Sequence, residues 1–271
     1  MRLDLDKLAF GYGQRSIGRD VSFAAAPGQV VNLLGANGSG KTTLLKTILG
    51  LLRPLGGSIQ LDGQDTGSWP RHRIAHAMAY VPQAQRVGFP YSVRQLVLMG
   101  RAIHLGPFAR PSASDEEAAQ QALDRLGIGH MSDRLFPELS GGEQQLVLVA
   151  RAFAQGSPIL VMDEPVASLD LGNQAIVLQA VRQLAVAGRT CLMSTHNPDH
   201  AFLLADTVVL LSRGQLVGYG PPPDVISSAA LKQLYGVEVD ITYVPELGRH
   251  LCSTSFQPRE VNHEAQRPQH P

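Results

Sequence analysis

Lysine is scarce in this chain of 271 residues: it stands only at Lys7, Lys41, Lys46 and Lys232, the other cations being arginine. A lysine inside a motif is therefore not drawn from a lysine-rich background. Cysteine is scarcer still, limited to Cys191 and Cys252. That pair gives no metal-ligand spacing, and a reducing compartment gives no reason to expect a disulfide. Cys191, inside Thr190-Cys191-Leu192-Met193-Ser194, reads as filler of a buried strand. Charge imbalance is missing too. The 23 basic and 23 acidic residues cancel, which removes the electrostatic basis for wrapping nucleic acid or lying on an anionic membrane. No apolar run approaches the roughly 18 residues of a membrane span, and Met1-Arg2-Leu3-Asp4-Leu5-Asp6-Lys7 alternates charge where a secretory leader is apolar. The expected compartment is the cytoplasm, and nucleic acid is not an expected partner.

The length suits one large α/β domain or a core with a smaller lobe. Residues 2–34 read as short strands broken at Gly11-Tyr12-Gly13 and Pro27-Gly28, and Ser58-Ile59-Gln60-Leu61-Asp62-Gly63 as a further strand and turn. From about residue 90 the spacing turns helical, in Val93 to Met99 and Asp115 to Leu126, which suggests an inserted helical lobe over about 90–155. After Ser140 the pattern predicts a helix to Gln155, a strand at Ile159 to Met162, a helix at Leu171 to Ala187, and strands at 190–194, 207–211 and 215–219. Such alternation implies a largely parallel sheet with right-handed crossovers. The polar end of the chain lacks a core pattern and reads as a disordered tail over 246–271, after a domain of residues 1–245. His263 and His270 within it read as surface residues. No internal repeat is present, so one nucleotide site per chain is expected.

The chemistry begins at Gly35-Ala36-Asn37-Gly38-Ser39-Gly40-Lys41-Thr42, which follows the apolar run Val30 to Leu34 and leads into Thr43-Leu44-Leu45. A strand, a G-x-x-x-x-G-K-T turn and a helix in that order make a phosphate cradle. Backbone N–H groups converge there on phosphate oxygens, and the positive end of the helix dipole adds to them. Lys41 is expected to reach the β- and γ-phosphates of a nucleoside triphosphate, and the Thr42 hydroxyl to ligate Mg²⁺. A second signal is Ile159-Leu160-Val161-Met162-Asp163-Glu164, a buried strand ending in two carboxylates. Burying two acids is costly unless a cation or a reaction uses them. Asp163 suits the Mg²⁺ side of the triphosphate, and Glu164 a general base that polarises the attacking water. The third signal, Leu139-Ser140-Gly141-Gly142-Glu143-Gln144-Gln145, sets small residues and free N–H groups before another helix.

With these parts in one order, Tyr12, Gly35 to Thr42, Gln83, Leu139 to Glu143, Asp163-Glu164, Ser168-Leu169-Asp170 and His196, the sequence resembles the ATP-binding cassette (ABC) ATPases over about residues 2–245. The resemblance implies an α/β fold: a P-loop NTPase core with a mostly parallel sheet, an N-terminal antiparallel β subdomain and an inserted α-helical subdomain. It implies ATP and Mg²⁺ as ligands, with Gly35, Ala36, Asn37, Gly38, Ser39, Gly40, Lys41, Thr42 and Thr43 on the nucleotide. Tyr12 resembles the aromatic residue that stacks on adenine. Gln83 resembles the glutamine that touches Mg²⁺ and water, and His196 the switch histidine at the γ-phosphate. Asp170 is similar to the acid that communicates between subunits. Ser140, Gly141, Gly142 and Glu143 resemble the signature that closes on the ATP of a facing subunit, so a dimer of this chain with itself, or with a second such ATPase, is implied.

Two departures stand out. Glu143 occupies a position where the family usually has Gln, which sets a carboxylate near the triphosphate unless it faces solvent or a basic neighbour. Pro165-Val166-Ala167-Ser168 lacks the hydroxyls common at the first two positions after the proline. The segment Tyr91 to Arg101, then His104, Phe108-Ala109-Arg110-Pro111 and Asp115, resembles the lobe of bacterial importer ATPases for iron-siderophore complexes, haem, cobalamin and, in one branch, molybdate or tungstate. Phe108 and Pro111 incline the reading toward the oxyanion branch. The family's importers dock on membrane permease subunits and are fed by an external substrate-binding protein, which implies a peripheral place on the cytoplasmic face of the inner membrane. Gln83 to Arg101 is the expected permease contact, with Val97, Leu98 and Met99 open to either a core or a contact role. An exporter subunit, or a soluble ABC ATPase without a transport role, is the competing reading.

Overall fold

The computed structural model describes residues 1–83, 90–106 and 108–254. Pro107 and the residues read above as a tail from 255 onward lie outside it, as does part of the expected permease contact. The chain opens with β1 (Leu3–Tyr12) and β2 (Arg15–Ala25), antiparallel to one another, then β3 (Val30–Leu34) and α1 (Lys41–Ile48). It continues through β4 (Gly56–Leu61), β5 (Gln64–Asp65), α2 (Arg71–Ala77) and β6 (Met78–Val81). A helical lobe follows with α3 (Val93–Leu98), a 3₁₀ segment at Met99–His104, α4 (Ala113–Arg125) and α5 (Gly141–Gln155). The chain returns as β7 (Ile159–Asp163), α6 (Leu171–Val186), β8 (Thr190–Thr195), α7 (Pro198–Leu204), β9 (Thr207–Ser212) and β10 (Gln215–Gly220). It then forms α8 (Pro222–Val225), α9 (Ser228–Tyr235) and the hairpin β11 (Val239–Val244) and β12 (Arg249–Thr254).

The central six-stranded sheet runs β10-β9-β3-β8-β7-β6, parallel throughout except for the β9–β10 pair. Its alternating side chains feed two cores, as the two-residue period of a strand requires. Ile159, Val161, Val31 and Leu33 pack with α1 and the antiparallel sheet β2-β1-β4-β5. Leu160 and Met162 face the other way, into a core shared with α5, α6 and the lobe. Val97 is fully buried in that core, Leu98 packs against it, and Met99 is 42% exposed. The three residues thus divide between core and surface.

Several elements lie beyond the patterns read above. Strand β6 has four residues and leaves α2 without a turn, so it carries too short an alternation to be seen. Helix α7 and helix α9 are seven and eight residues long. The boundary expected at 245 falls between the paired strands β11 and β12, because Val239, Ile241 and Cys252 pack onto the core of Leu231 and Leu234. That hairpin extends the structured chain past residue 245.

Two attachments position the site. Gly214, in the β9–β10 turn, donates its N–H to Ser39 O at 2.9 Å and accepts from Arg19 N at 3.2 Å, joining the phosphate loop to β2. A side chain there would meet Ile17 O at 1.8 Å, and the backbone has φ +76, so only glycine fits. Within the lobe, Arg101 donates to Asp115 Oδ1 at 3.0 Å and Ala154 O at 2.9 Å. Gln155, the last residue of α5, donates to Ala75 O at 2.8 Å and Met78 O at 3.2 Å on the core side.

Asp115 also closes a capping box with Ser112 at the start of α4. The Ser112 hydroxyl and backbone N–H, then the Arg101 guanidinium, hold its carboxyl at a pKa of about 2 against an ordinary 3.8. A lowered carboxyl pKa contributes stability above the unfolded value that is lost as pH falls through the folded one. Asp115→Asn is therefore expected to lower the thermal midpoint at neutral pH, and its gap to the unaltered chain to narrow as pH falls below 3.8 toward about 2. Thermal melts across that range check it; a gap independent of pH would contradict the assignment.

Candidate functional site

Four neighbouring parallel strands, β3, β8, β7 and β6, present the predicted residues at their carboxyl ends. The phosphate loop follows Leu34 of β3, His196 follows Thr195 of β8, Asp163 ends β7 with Glu164 next, and Gln83 lies just past Val81 of β6. Parallel α/β sheets bind ligands at this edge because every loop there turns from strand to helix.

Glu164 gathers these ends. Its carboxylate lies 3.3 Å from Lys41 Nζ, accepts from Gln83 Nε2 at 3.3 Å and meets His196 Nδ1 at 3.1 Å. Lys41 and Glu164 are 5% and 8% exposed, so each charge depends on the other for compensation. Glu164 has φ +48, a left-handed conformation disfavoured for a residue with a β-carbon. Strain of that kind persists where surrounding bonds over-determine the backbone. Here the Glu164 N–H donates to Ser194 Oγ at 2.9 Å, and the Ser194 hydroxyl donates to Asp163 Oδ1 at 2.7 Å.

Lys41 also donates to the carbonyls of Gly35 at 2.8 Å and Ala36 at 3.1 Å, which draws its ammonium under the loop. Gly40 caps α1 at φ +103, and a β-carbon there would press on Ile17 and the Phe10 ring at 3.1 and 3.2 Å. The sequence places glycine where the backbone must turn back on itself beneath the cleft. That cleft, of about 350 Å³, is lined by Asn37, Gly38, Thr42, Thr43 and Glu164, with Ile17 of β2 on its wall. Tyr12 is 49% exposed and is tied to Thr43 Oγ1 by a long hydrogen bond of 3.5 Å. Ser39 Oγ and Asp163 Oδ2 are buried and have no partner among the described residues. A hydroxyl and a carboxylate oxygen so placed have spare capacity for a ligand.

A second cluster forms elsewhere on the chain. Ser140 accepts from Glu143 N at 3.3 Å while its own N–H donates to Glu143 Oε2 at 2.7 Å, a capping box at the start of α5. Arg134 donates to Glu143 Oε1 at 2.9 Å. The Ser140 backbone bond, its hydroxyl and then Arg134 hold the Glu143 carboxyl below the usual range. The carboxylate that departs from the family pattern is thus turned back onto its own helix and paired with a cation. Gly142 lies against Ser168 and Leu169. Asp170 caps α6, its carboxylate accepting from Asn173 N at 2.8 Å and Asn173 Nδ2 at 3.1 Å. Val166, where a hydroxyl is common, is buried, and the turn closes through Ala167 N to Glu164 O and Leu169 N to Val166 O, each 3.2 Å. Neither Ser140, Gly141 nor Gly142 lines the phosphate-loop cleft.

Ile17 and Ser194 were not among the sequence candidates. Ser194 had a signal, a hydroxyl pair with Thr195 closing a strand whose middle, Cys191 to Met193, is apolar; Ile17 had none, since its role comes from β2 lying beside the loop.

The model of the ABC transporter family matches residues 19–167. The chain is 36% identical to the hemin import ATP-binding protein HmuV of Pseudomonas entomophila, over 93% of this chain and 99% of that one. It is 35% identical to the molybdate import ATP-binding protein MolC of Haemophilus influenzae, over 86% of this chain and 87% of that one. A solved chain described as a metal-chelate type ABC transporter in an inward-facing conformation superposes with a TM-score of 0.81 at 32% identity, covering 94% of this chain and 97% of its own.

The capping box makes a prediction independent of ligand. Ser140→Ala removes the hydroxyl that accepts at the start of α5 and is expected to cost about 1 kcal/mol. Glu143→Gln keeps an acceptor for the Ser140 N–H and is expected to destabilise less. Chemical denaturation of the two variants checks the order, and a larger loss for Glu143→Gln would contradict it.

Proposed function

Since the chain belongs to the ABC transporter family, we propose that it is the ATP-hydrolysing subunit of a bacterial importer and that Glu164 is its general base. The observation that carries this reading is the convergence of Lys41, Gln83 and His196 on one buried carboxylate at the edge of the parallel sheet. In the proposed reaction, the γ-phosphate of ATP takes over Lys41, whose compact charge matches the β- and γ-oxygens. Glu164, so released, accepts the proton of a water that attacks the γ-phosphorus. The new P–O bond forms as the bond to the β–γ bridging oxygen breaks, giving ADP and phosphate. His196 holds the γ-phosphate side, Tyr12 offers its ring to adenine, and Asn37, Gly38 and Thr43 contact the phosphates.

Mg²⁺ fits the residues present, because Asp163, next to Glu164, keeps one buried oxygen unpartnered, and Thr42 and Gln83 line the cleft with Glu164. Thr42, Gln83 and Asp163 would hold it, Asp163 directly or through water, and it would neutralise charge on the phosphates. Among the described residues no group of three or more His, Cys, Asp or Glu forms a metal cage.

Ser140, Gly141, Gly142 and Asp170 have no part in that cleft within one chain, which supports their use across a dimer. One phosphate loop and one signature per chain suit a twofold arrangement in which each signature closes on the other copy's ATP. ATP would stabilise the closed dimer and hydrolysis would release it.

No helix among the described residues is long and apolar enough to cross a membrane, and in the importer reading membrane permease subunits supply the path. A groove of about 440 Å³ between the core (Leu49, Ile74, Tyr80) and the lobe (Met99, Ile103) supports docking of a permease on this face. It includes Met99 from the stretch expected to make that contact. The cargo class proposed is a metal chelate, hemin being the case among the relatives, with metal oxyanions the nearest competitor. Phe108, whose side chain is exposed, does not decide between the two branches. Reconstitution with the permease, and comparison of ATPase stimulation by binding proteins loaded with hemin or molybdate, separates the two. An ATPase indifferent to every loaded binding protein would sink the importer reading.

Two variants test the site. Glu164→Gln keeps the side-chain shape and is expected to retain ATP binding, accumulate a closed dimer by light scattering and lose about 10²-fold or more in turnover. Undiminished hydrolysis would remove Glu164 as the base. Lys41→Ala is expected to abolish measurable ATP binding in calorimetry, and full affinity would contradict the phosphate-loop assignment.

A further inference from the structure

We propose that Tyr235 is a positioning residue for His196, and that α9 with the β11–β12 hairpin forms the brace through which it acts. The inference rests on the reading of His196 given above and deepens it. The His196 side chain is 48% exposed and leans out of the sheet edge, so packing alone does not fix it. Its ring nevertheless meets Glu164 Oε2 at 3.1 Å. The hold comes from behind. The Tyr235 hydroxyl, at the end of α9, donates to the His196 backbone carbonyl at 2.8 Å. Burial pushes the phenol well above its ordinary pKa, so the donor keeps its proton throughout the working range.

The neighbouring residues share this support. Asp199 Oδ1 accepts from the Cys252 N–H of β12 at 2.8 Å, anchoring α7 to the hairpin. Within the stretch, Asn197 N donates to Thr195 Oγ1 at 3.1 Å, and Asp199 N donates to Asn197 Oδ1 at 2.9 Å. A pocket of about 300 Å³ opens beside these contacts, lined by His196, Asn197, Tyr235, Val237, Val239 and Cys252, while the Phe202 ring of α7 meets the His250 ring of β12 at 5.2 Å. The segment therefore has room to move once a tie is cut. The two ties, one to a carbonyl and one to a carboxylate, set where the imidazole lies.

The test uses the full chain assembled with its permease. Tyr235→Phe keeps the ring and removes only the donor. Its kcat for ATP hydrolysis is expected to fall about tenfold, as small displacements of a reacting group do, with KM and Kd for ATP within about twofold. Asp199→Ala cuts the second tie and is expected to act in the same direction, so the question stays answerable if one variant folds poorly. In the isotope-labelled chain, the His196 ring resonance, identified by its loss in His196→Ala, is expected to shift in both variants while the resonance of His130 holds. An unchanged kcat or an unshifted His196 resonance in a folded variant would overturn the proposal. A His196→Ala chain with full turnover would instead overturn the reading of His196 itself.

Discussion

A carboxylate that water barely reaches must be balanced by something the fold supplies, and at Glu164 the fold supplies Lys41, Gln83 and His196 together. Each partner arrives from a different strand, so the charge acts as a shared demand on β3, β6, β7 and β8. Breaking one half of a buried pair is more costly than forming it is favourable. The phosphate loop and the acid strand are therefore interdependent even though β8 lies between them in the sheet. In the proposed reaction a triphosphate entering the cleft would compete for the lysine and leave the carboxylate to the glutamine, the histidine and water, so that binding and readiness for chemistry would become one event.

The parts legible in the sequence were those in which a backbone shape dictates residue type. Gly40 sits at a φ only glycine adopts with ease, and Asp163-Glu164 ends a run of apolar residues that can only be a buried strand. Strands β7, β8 and β9 are buried along almost their whole length, and helices α5 and α6 close around the positions their spacing marks. Short elements were not legible, since four residues of β6 or seven of α7 carry no more than two repeats or turns of pattern. Long-range ties were invisible as well. Nothing near Tyr235 or Cys252 in the chain announces that they reach back to residues 196 and 199.

The Glu143 substitution illustrates how a departure from a family pattern can be absorbed locally. A serine three positions before a glutamate is a helix-start signal in its own right, and the carboxylate follows that signal instead of facing a ligand. Val166 is a second case, where a buried methyl pair replaces a hydroxyl and the turn closes through its own backbone.

Helix α5 joins these observations mechanically. It is 15 residues long, beginning beside Ser140 and ending at Gln155, whose side chain grips the backbone of α2 and the start of β6. At 1.5 Å per residue that is a lever arm of about 22 Å. With its fulcrum fixed at Gln155, a tilt of about 5° sweeps the Ser140 end through roughly 2 Å, the difference between a hydrogen bond and none. Forces applied in the groove beside Gln155 act close to that fulcrum, where the mechanical disadvantage is greatest and the displacement smallest. A slight shift on one face would thus become a larger one at the far end of a single helix.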